Sequence, residues 1–387
     1  MREWPKMLLN ALLITLISVI LSRMDIYELT SVDALAPAAK VSDWHLTDIY
    51  NSIASDRLSL PGDPDIVIID IDTASRGTIA KLIEAVNYCK PRAIGIDVIF
   101  RHTSDDGLFE AIQNCDNIVL PYVLKYDGQT RSLVKQEDSF FYGKLEGKNF
   151  GAVNFNADNV YDVVRQFTPF FVVGEERVEN FSTALARLAY PEKYEELIAR
   201  MQESEIIYYP TADYSPLSIS DVLDDSELCR QDIISELNGK VVLIGNLHNI
   251  NDMFMTPLGD SVPGLLIHAR TLATILYGRY ISHSSVVVDW VIAFICCFIL
   301  ALAGQMRKLS SNFKDTLSFL VRILQVAILY AFIFFGARRF IEHNQYMDFS
   351  ASLMMVGLCA LATDVYKGLT EIFRLIYGKI RSYIMNK

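Results

Sequence analysis

The sequence predicts an α/β domain with a mainly parallel, buried sheet flanked by helices, together with four transmembrane helices, one N-terminal and three C-terminal. Two observations predict it. Apolar runs of strand length, such as IVIID from Ile66 to Asp70 and GKVVLIG from Gly239 to Gly245, lack polar alternation, as strands covered on both faces require. Four longer apolar segments approach or exceed the roughly 20 residues that cross a bilayer, and they enclose one long polar stretch.

The first apolar segment, Met7 to Ser22, is bounded by Lys6 and Arg23. A cleaved signal peptide is the alternative, but it needs small residues just beyond the apolar run. The nearest, Ala34 and Ala36, lie far downstream beside Pro37, so an uncleaved anchor is expected. The later segments run from Val286 to Met306, Leu317 to Ala337 and Met347 to Tyr366. Positive loops stay cytoplasmic. Arg307, Lys308 and Lys314 lie between the second and third segments, and Lys367, Arg374, Lys379, Arg381 and Lys387 follow the fourth. Arg338 and Arg339, in the opposite loop, have Glu342 beside them. The expected organisation is therefore a cytoplasmic end and anchor over 1–23, an extracytoplasmic domain over 24–285, three spans over 286–366 and a basic tail over 367–387. Both termini are expected to face the cytoplasm.

The polar stretch from Met24 to Ser285 carries 39 acidic and 21 basic residues, a net of −18, and the remainder of the chain is +7. An acidic domain beside a basic membrane region excludes nucleic acid as a partner class. Roughly 260 residues suffice for one sizeable core. Cys89, Cys115 and Cys229 fall in the polar stretch, an odd number that admits one disulfide but demands none, and their spacing does not match a metal-binding repeat.

Within the domain the elements follow in order. A helix is expected from Arg76 to Tyr88 after the first strand. AIGIDVIF, Ala93 to Phe100, is a second strand, with a short helix from Asp106 to Gln113 and a third strand from Asn117 to Leu124. Lys125 to Lys148 reads as a hairpin or loop. Further strands are expected at Gly151 to Phe155, Val163 to Val172 and Glu205 to Tyr209, with a helix from Ser182 to Ala189 capped by Ser182. After the strand GKVVLIG comes a helix from Pro263 to Gly278, with proline in its first turn and glycine at its end.

Sites of α/β domains lie at the carboxyl ends of parallel strands. Asp70 and Asp72 end the first strand, Asp97 lies late in the second, and Asn246, His248 and Asp252 follow the last. These six are the candidate ligand-binding residues. No cofactor is expected, although converging carboxylates suit a hard divalent cation as well as a polar ligand. The competing reading is that the acids cap helices and loops. His268, between Ile267 and Ala269, reads as a packed core histidine. The Asp70–Asp72 pair invites comparison with haloacid-dehalogenase-type phosphatases, but Ala74 stands where they carry Thr or Val. Arg322, about 7 Å inside the third span, and Asp364 near the same end of the fourth read as snorkelling to headgroups rather than as a buried pair. Asp289 and Asp348 sit at the outer ends, where solvation is easy.

PDIVIIDID, AIGIDVIF, GAVNF, GKVVLIG, and the later Asn251, Asp252 and PGLLIHA resemble, in this order and spacing, the CHASE type 2 domain, an extracytoplasmic sensor module of bacteria. The resemblance spans roughly residues 40 to 280 and extends to the layout of one preceding and three following membrane helices. Carried over by position, the residues matching the family are Asp70, Asp72, Asp97, Gly245, Asp252, Pro263, Gly264, His268 and Ala269. The resemblance implies an extracytoplasmic ligand and signalling through the membrane helices. The family's usual cytoplasmic cyclase or kinase is not apparent after Tyr366, where Leu369, Ile372, Phe373, Ile376 and Ile380 instead describe a basic amphipathic helix. The expectation is a non-enzymatic sensor or partner subunit acting on a separate effector, with a homo-oligomer left open. The alternatives are a divalent-cation-dependent extracytoplasmic hydrolase and an architectural envelope-complex subunit.

Overall fold

The computed structural model describes residues 4–23, 45–57, 62–101, 107–127, 132–136, 141, 144–145, 147–157, 163–211, 213–224, 227–306 and 314–385. The chain divides into two compact units, Thr47–Ile281 and the combination of Met1–Leu46 with Ser282–Lys387.

Helix α1 (Trp4–Arg23) belongs to the second of these. In the first, α2 (Leu46–Arg57) is followed by β1 (Ile66–Asp70), α3 (Arg76–Tyr88), β2 (Ala93–Asp97), α4 (Leu108–Gln113), β3 (Ile118–Asp127), β4 (Ser132–Gln136) and β5 (Asn149–Ala152). Then come β6 (Asn156–Ala157), β7 (Val164–Phe167), β8 (Phe170–Val173), β9 (Glu176–Glu179), α5 (Phe181–Ala189), α6 (Pro191–Ala199), β10 (Glu205–Ile206), β11 (Leu217–Ser218), α7 (Ile219–Val222), α8 (Glu227–Leu237) and β12 (Val241–Gly245). A hairpin of β13 (Met253–Met255) and β14 (Ser261–Pro263) precedes α9 (Gly264–Leu276).

The main sheet runs β11-β1-β12-β2-β3, with β5 and β4 both paired to β3. Every pairing is parallel except β3 with β4. The mainly parallel α/β architecture expected from the apolar runs is thus present. Both faces are covered. Val67, Ile69, Ile94, Ile96, Val242 and Ile244 pack beneath α3, α4 and α8. Ile66, Ile68, Val241 and Leu243 pack beneath α5 and α9.

Several elements depart from the sequence reading. The second strand ends at Asp97, so Val98 to Phe100 leave the sheet, and the third extends to Asp127 because β4 pairs its outer half. The expected strand from Val163 to Val172 is two strands broken at Thr168 and Pro169, the second forming a hairpin with β9. Asn180, not Ser182, caps α5: its side chain accepts the Ser182 N–H at 2.9 Å, and Ser182 is buried in the first turn. Pro263 occupies the cap position of α9 rather than its first turn. Cys89 and Cys115 are free thiols, and the Cys229 side chain lies outside the described residues.

Two polar anchors tie peripheral chain to this core. Arg165 on β7 holds Asp48 on α2 with two hydrogen bonds of 2.8 and 2.9 Å. Asp63, fully buried before β1, accepts from Tyr214 at 2.6 Å and Arg279 at 2.8 Å, closing the carboxyl end of α9 against the start of β1. Buried charges persist only with such partners.

The other unit contains α1, α10 (Val286–Met306), α11 (Lys314–His343) and α12 (Ser350–Met385), four helices long and apolar enough to cross a membrane. Small residues face inward on all four: Ala11 on α1, Ala293 and Ala301 on α10, Ala337 on α11 and Ala362 on α12 are buried. Such residues let apolar helices approach closely. Polar cross-links add to this. Tyr366 donates to Asn10 at 2.6 Å, and Gln325 donates to the Val356 carbonyl at 2.7 Å. Asp289 is buried instead of solvated, with Ser284 donating to it at 2.7 Å. Asp364 pairs with Lys367 one turn along its own helix. The tail is not a separate helix: α12 continues without a break through 36 residues. The loop cations Arg307 and Lys308 lie outside the described residues.

Gly151 on β5 gives the sharpest packing test, because a Cβ there would stand 2.4 Å from the Phe181 Cα. Backbone cannot yield as a side chain does. Gly151→Ala is expected to destabilise the α/β domain by about 3 kcal/mol or more, whereas Gly62→Ala, whose Cβ meets nothing within 4 Å, is expected to be nearly neutral. Thermal unfolding of both variants beside the parent measures the difference.

Candidate functional site

Pairing of β12 between β1 and β2 aligns Asp70, Gly245 and Asp97 in one row at the carboxyl ends of three adjacent parallel strands. What each residue does there depends on the loop that follows its strand.

Asp70 is consumed by loop geometry. One oxygen accepts the backbone N–H of Asp72 and of Leu247, each at 3.1 Å, and the other lies 2.9 Å from His248 Nε2. Asp72 has a left-handed backbone, φ 45°, which is costly for a residue with a Cβ. The Asn246 amide supports it by donating to the Asp72 carbonyl at 2.8 Å while accepting the His248 N–H at 2.7 Å. These bonds lock the β1 and β12 loops together.

Beside this rim lies a cleft of about 780 Å³, and Asp72, Asp97, Asn246 and Asp252 all contribute to its lining. Asp70 and His248 do not. The six candidate residues therefore divide into four that line the cleft and two that brace its edge. Among the described residues no three His, Cys, Asp or Glu side chains are grouped so as to hold a metal ion.

Asp252 is placed by a 3₁₀ turn, Ile250–Asp252, capped by Asn249, whose side chain accepts the Asn251 N–H at 3.1 Å. Its carboxylate meets the amino end of α9, where Gly264 N–H donates to it. Positive charge at a helix start favours an anion. Gly264 makes this fit close, since a Cβ there would stand 3.0 Å from both Asp252 oxygens. Burial nevertheless raises the Asp252 carboxyl above the ordinary range, with the Gly264 N–H working against the rise.

Asp97 is the most perturbed acid of the cleft. It is partly buried at the end of β2, it accepts no hydrogen bond from any described residue, and it faces the charge of Asp252. Burial first, and Asp252 second, push its carboxyl up to about 7. An acid so poised exchanges its proton near neutral pH, which is a common property of binding and catalytic sites.

Part of the lining is aromatic. Phe155 packs edge-on against Phe254 with ring centroids 4.9 Å apart, and tilts over His268 at 4.5 Å. Asn154 stays fixed by two hydrogen bonds with the Leu124 backbone, at 2.7 and 2.9 Å. Burial holds His268 down at about 3, so its ring is neutral. It is the packed core histidine expected, and it also reaches the cleft. Phe155, Phe254 and Phe100 were not foreseen as site residues. The only signals are the places of Phe155 in GAVNF and of Phe100 in AIGIDVIF, and Phe254 carries none in the sequence.

The family model of the CHASE2 domain matches residues 12–305. No curated protein and no solved structure matches the chain.

The Asp97 proton makes stability depend on pH. The folded state holds it more tightly than the unfolded chain, so its contribution is fully present below the unfolded carboxylate pKa of about 4 and is lost as pH rises through about 7. Asp97→Asn removes this dependence. The variant is expected to match the parent near pH 4 and to exceed it near pH 8 by on the order of 2 kcal/mol, a figure reduced for solvent screening. Unfolding of both proteins across this range measures it.

Proposed function

The chain belongs to the CHASE2 domain family, a family of sensor domains, and from that premise we propose that it is the input subunit of a bacterial membrane signalling system. The α/β domain stands outside the cytoplasm and takes a ligand in the cleft at the ends of β1, β12 and β2. The membrane helices pass the bound state to an effector on another chain. The observation that carries this reading is Asp97: a partly buried carboxyl without a hydrogen-bond donor among the described residues, in a cleft whose rim is locked before any ligand arrives. A structural acid would have its partners already.

The chain also supplies a route. Helix α9 presents Gly264 to Asp252 and His268 to the cleft, and after Leu276 the sequence reaches α10 at Val286. A ligand that alters α9 acts on a segment joined directly to a membrane helix. It does so only through different affinities for two arrangements. At the other end α12 is about 54 Å long, against an apolar thickness of about 30 Å. The excess is a helical stem, and the basic flanks support a cytoplasmic position for it. The sensor character of the family and the lack of a grouped metal site among the described residues favour binding over hydrolysis.

The proposal is tested by cross-linking the full chain in its native membrane and extracting it gently, alongside a variant lacking residues 367–387. A specific membrane or cytoplasmic protein should be recovered with the full chain and lost from the variant. Recovery of the full chain alone, or equal recovery of the partner with both, would contradict the account.

A further inference from the structure

We propose that the cleft takes a small organic ammonium compound, with its positive nitrogen between the Asp97 and Asp252 carboxylates and its apolar body against Phe155 and Phe254. The inference rests on the cleft being the sensing site and adds the class of ligand.

The inner lining offers acceptors. Asp97 accepts no hydrogen bond from a described residue, and Asp252 spends itself on the N–H of Gly264. His268 adds a third acceptor. Ser182 donates its hydroxyl proton to the His268 carbonyl at 3.0 Å, and the same oxygen lies 3.5 Å from Nδ1. The tautomer that suits both carries the ring proton on Nδ1. Nε2 then holds a lone pair that meets no donor among the described residues, on a side chain 1 % exposed that lines the cleft. Two carboxylates and a neutral imidazole nitrogen ask for a ligand that donates hydrogen bonds and carries positive charge.

A hard divalent cation is the competing occupant, and the geometry disfavours it. Ca²⁺ takes six to eight oxygen ligands, yet no three ligating side chains are grouped here among the described residues, whereas Mg²⁺ keeps several waters beside one or two carboxylates, a set to which an apolar lining adds nothing. The aromatic wall is superfluous for a metal ion. It suits an organic cation, whose charge is attracted to ring faces and whose carbon atoms replace water there. The cleft of about 780 Å³ matches a small metabolite.

The other charged groups of the cleft set what else the ligand carries. Asp72 is a third acid, Arg76 lies over the Phe100 ring at 5.6 Å, and Arg101 is exposed. The guanidiniums suit a carboxylate on the same molecule, so ammonium compounds with and without a carboxylate form separate arms of the test.

Calorimetry on the full chain in lipid nanodiscs, with choline, putrescine, phenylalanine, Mg²⁺ and Ca²⁺ as probes, decides the matter. At least one organic ammonium should bind and, near pH 7, release about half a proton, because the arriving charge ionises the Asp97 carboxyl. Its affinity should fall at least about tenfold in Asp97→Asn, a variant expected to fold at least as well as the parent, and also in Asp252→Asn. Tighter binding of phenylalanine than of choline and putrescine would assign the arginines to its carboxylate. Binding that ignores both substitutions, a response to the divalent ions alone, or no response to any ammonium probe overturns the proposal. If the tail-dependent partner is still recovered in that event, the sensing-subunit reading stands and only the ligand class falls. If the partner is absent as well, both fall.

Discussion

The insertion of β12 between β1 and β2 is the constraint on which the α/β domain depends. Its residues come from more than 140 positions beyond β2, yet it occupies the centre of the sheet. Closing so long a loop costs little more than closing a shorter one, because the entropy grows only logarithmically. The compensation is large: Val241 to Gly245 are buried on every side. Register then follows from the apolar pattern, since a slip by one residue would turn the strand's side chains to the opposite layers. That register sets Gly245 between Asp70 and Asp97 and delivers the Asp252 loop to the same edge.

The same placement creates a local conflict. Apolar packing that stabilises the sheet also removes water from Asp97, and the loop brings a second carboxylate toward it. A domain selected only for stability would replace one acid or supply a donor. Here the neighbouring acids are treated differently. Asp70 accepts two backbone N–H groups and lies against His248, while Asp252 has the amino end of α9. Asp97 alone of these three lacks a donor among the described residues, and that asymmetry between chemically similar neighbours is the support for the proposed ligand site.

Legibility in the sequence tracked the strength of local physics. β1, α3 and α10 lie where the reading put them, because continuous apolar runs and a 3.6-residue repeat leave few alternatives. α6 and α8 carried weak signals. The first buries only Leu197, and Pro191 opens it directly after α5. The β13–β14 hairpin is too short for alternation to register. Of the cleft lining, the strand-end rule anticipated Asp72, Asp97, Asn246 and Asp252, because it depends on topology, which the apolar runs already implied. It did not separate Asp70 and His248 from the others, since their pairing is a loop event. The aromatic wall was illegible for a related reason: Phe155, Phe254 and His268 meet only when α9 lies across the sheet. The unbroken passage of α12 past Tyr366 was not legible, because Gly368, a residue that commonly ends helices, is carried inside it.

The cleft contains an acid held away from its ordinary ionisation by burial and a neighbouring carboxylate. A site-resolved titration of Asp97 in the full chain tests this most directly, following its carboxyl stretch by infrared difference against Asp97→Asn. The account predicts a midpoint near 7 that moves down when Asp252 is replaced by Asn. A midpoint in the ordinary carboxylate range near 4, unmoved by that replacement, would contradict it.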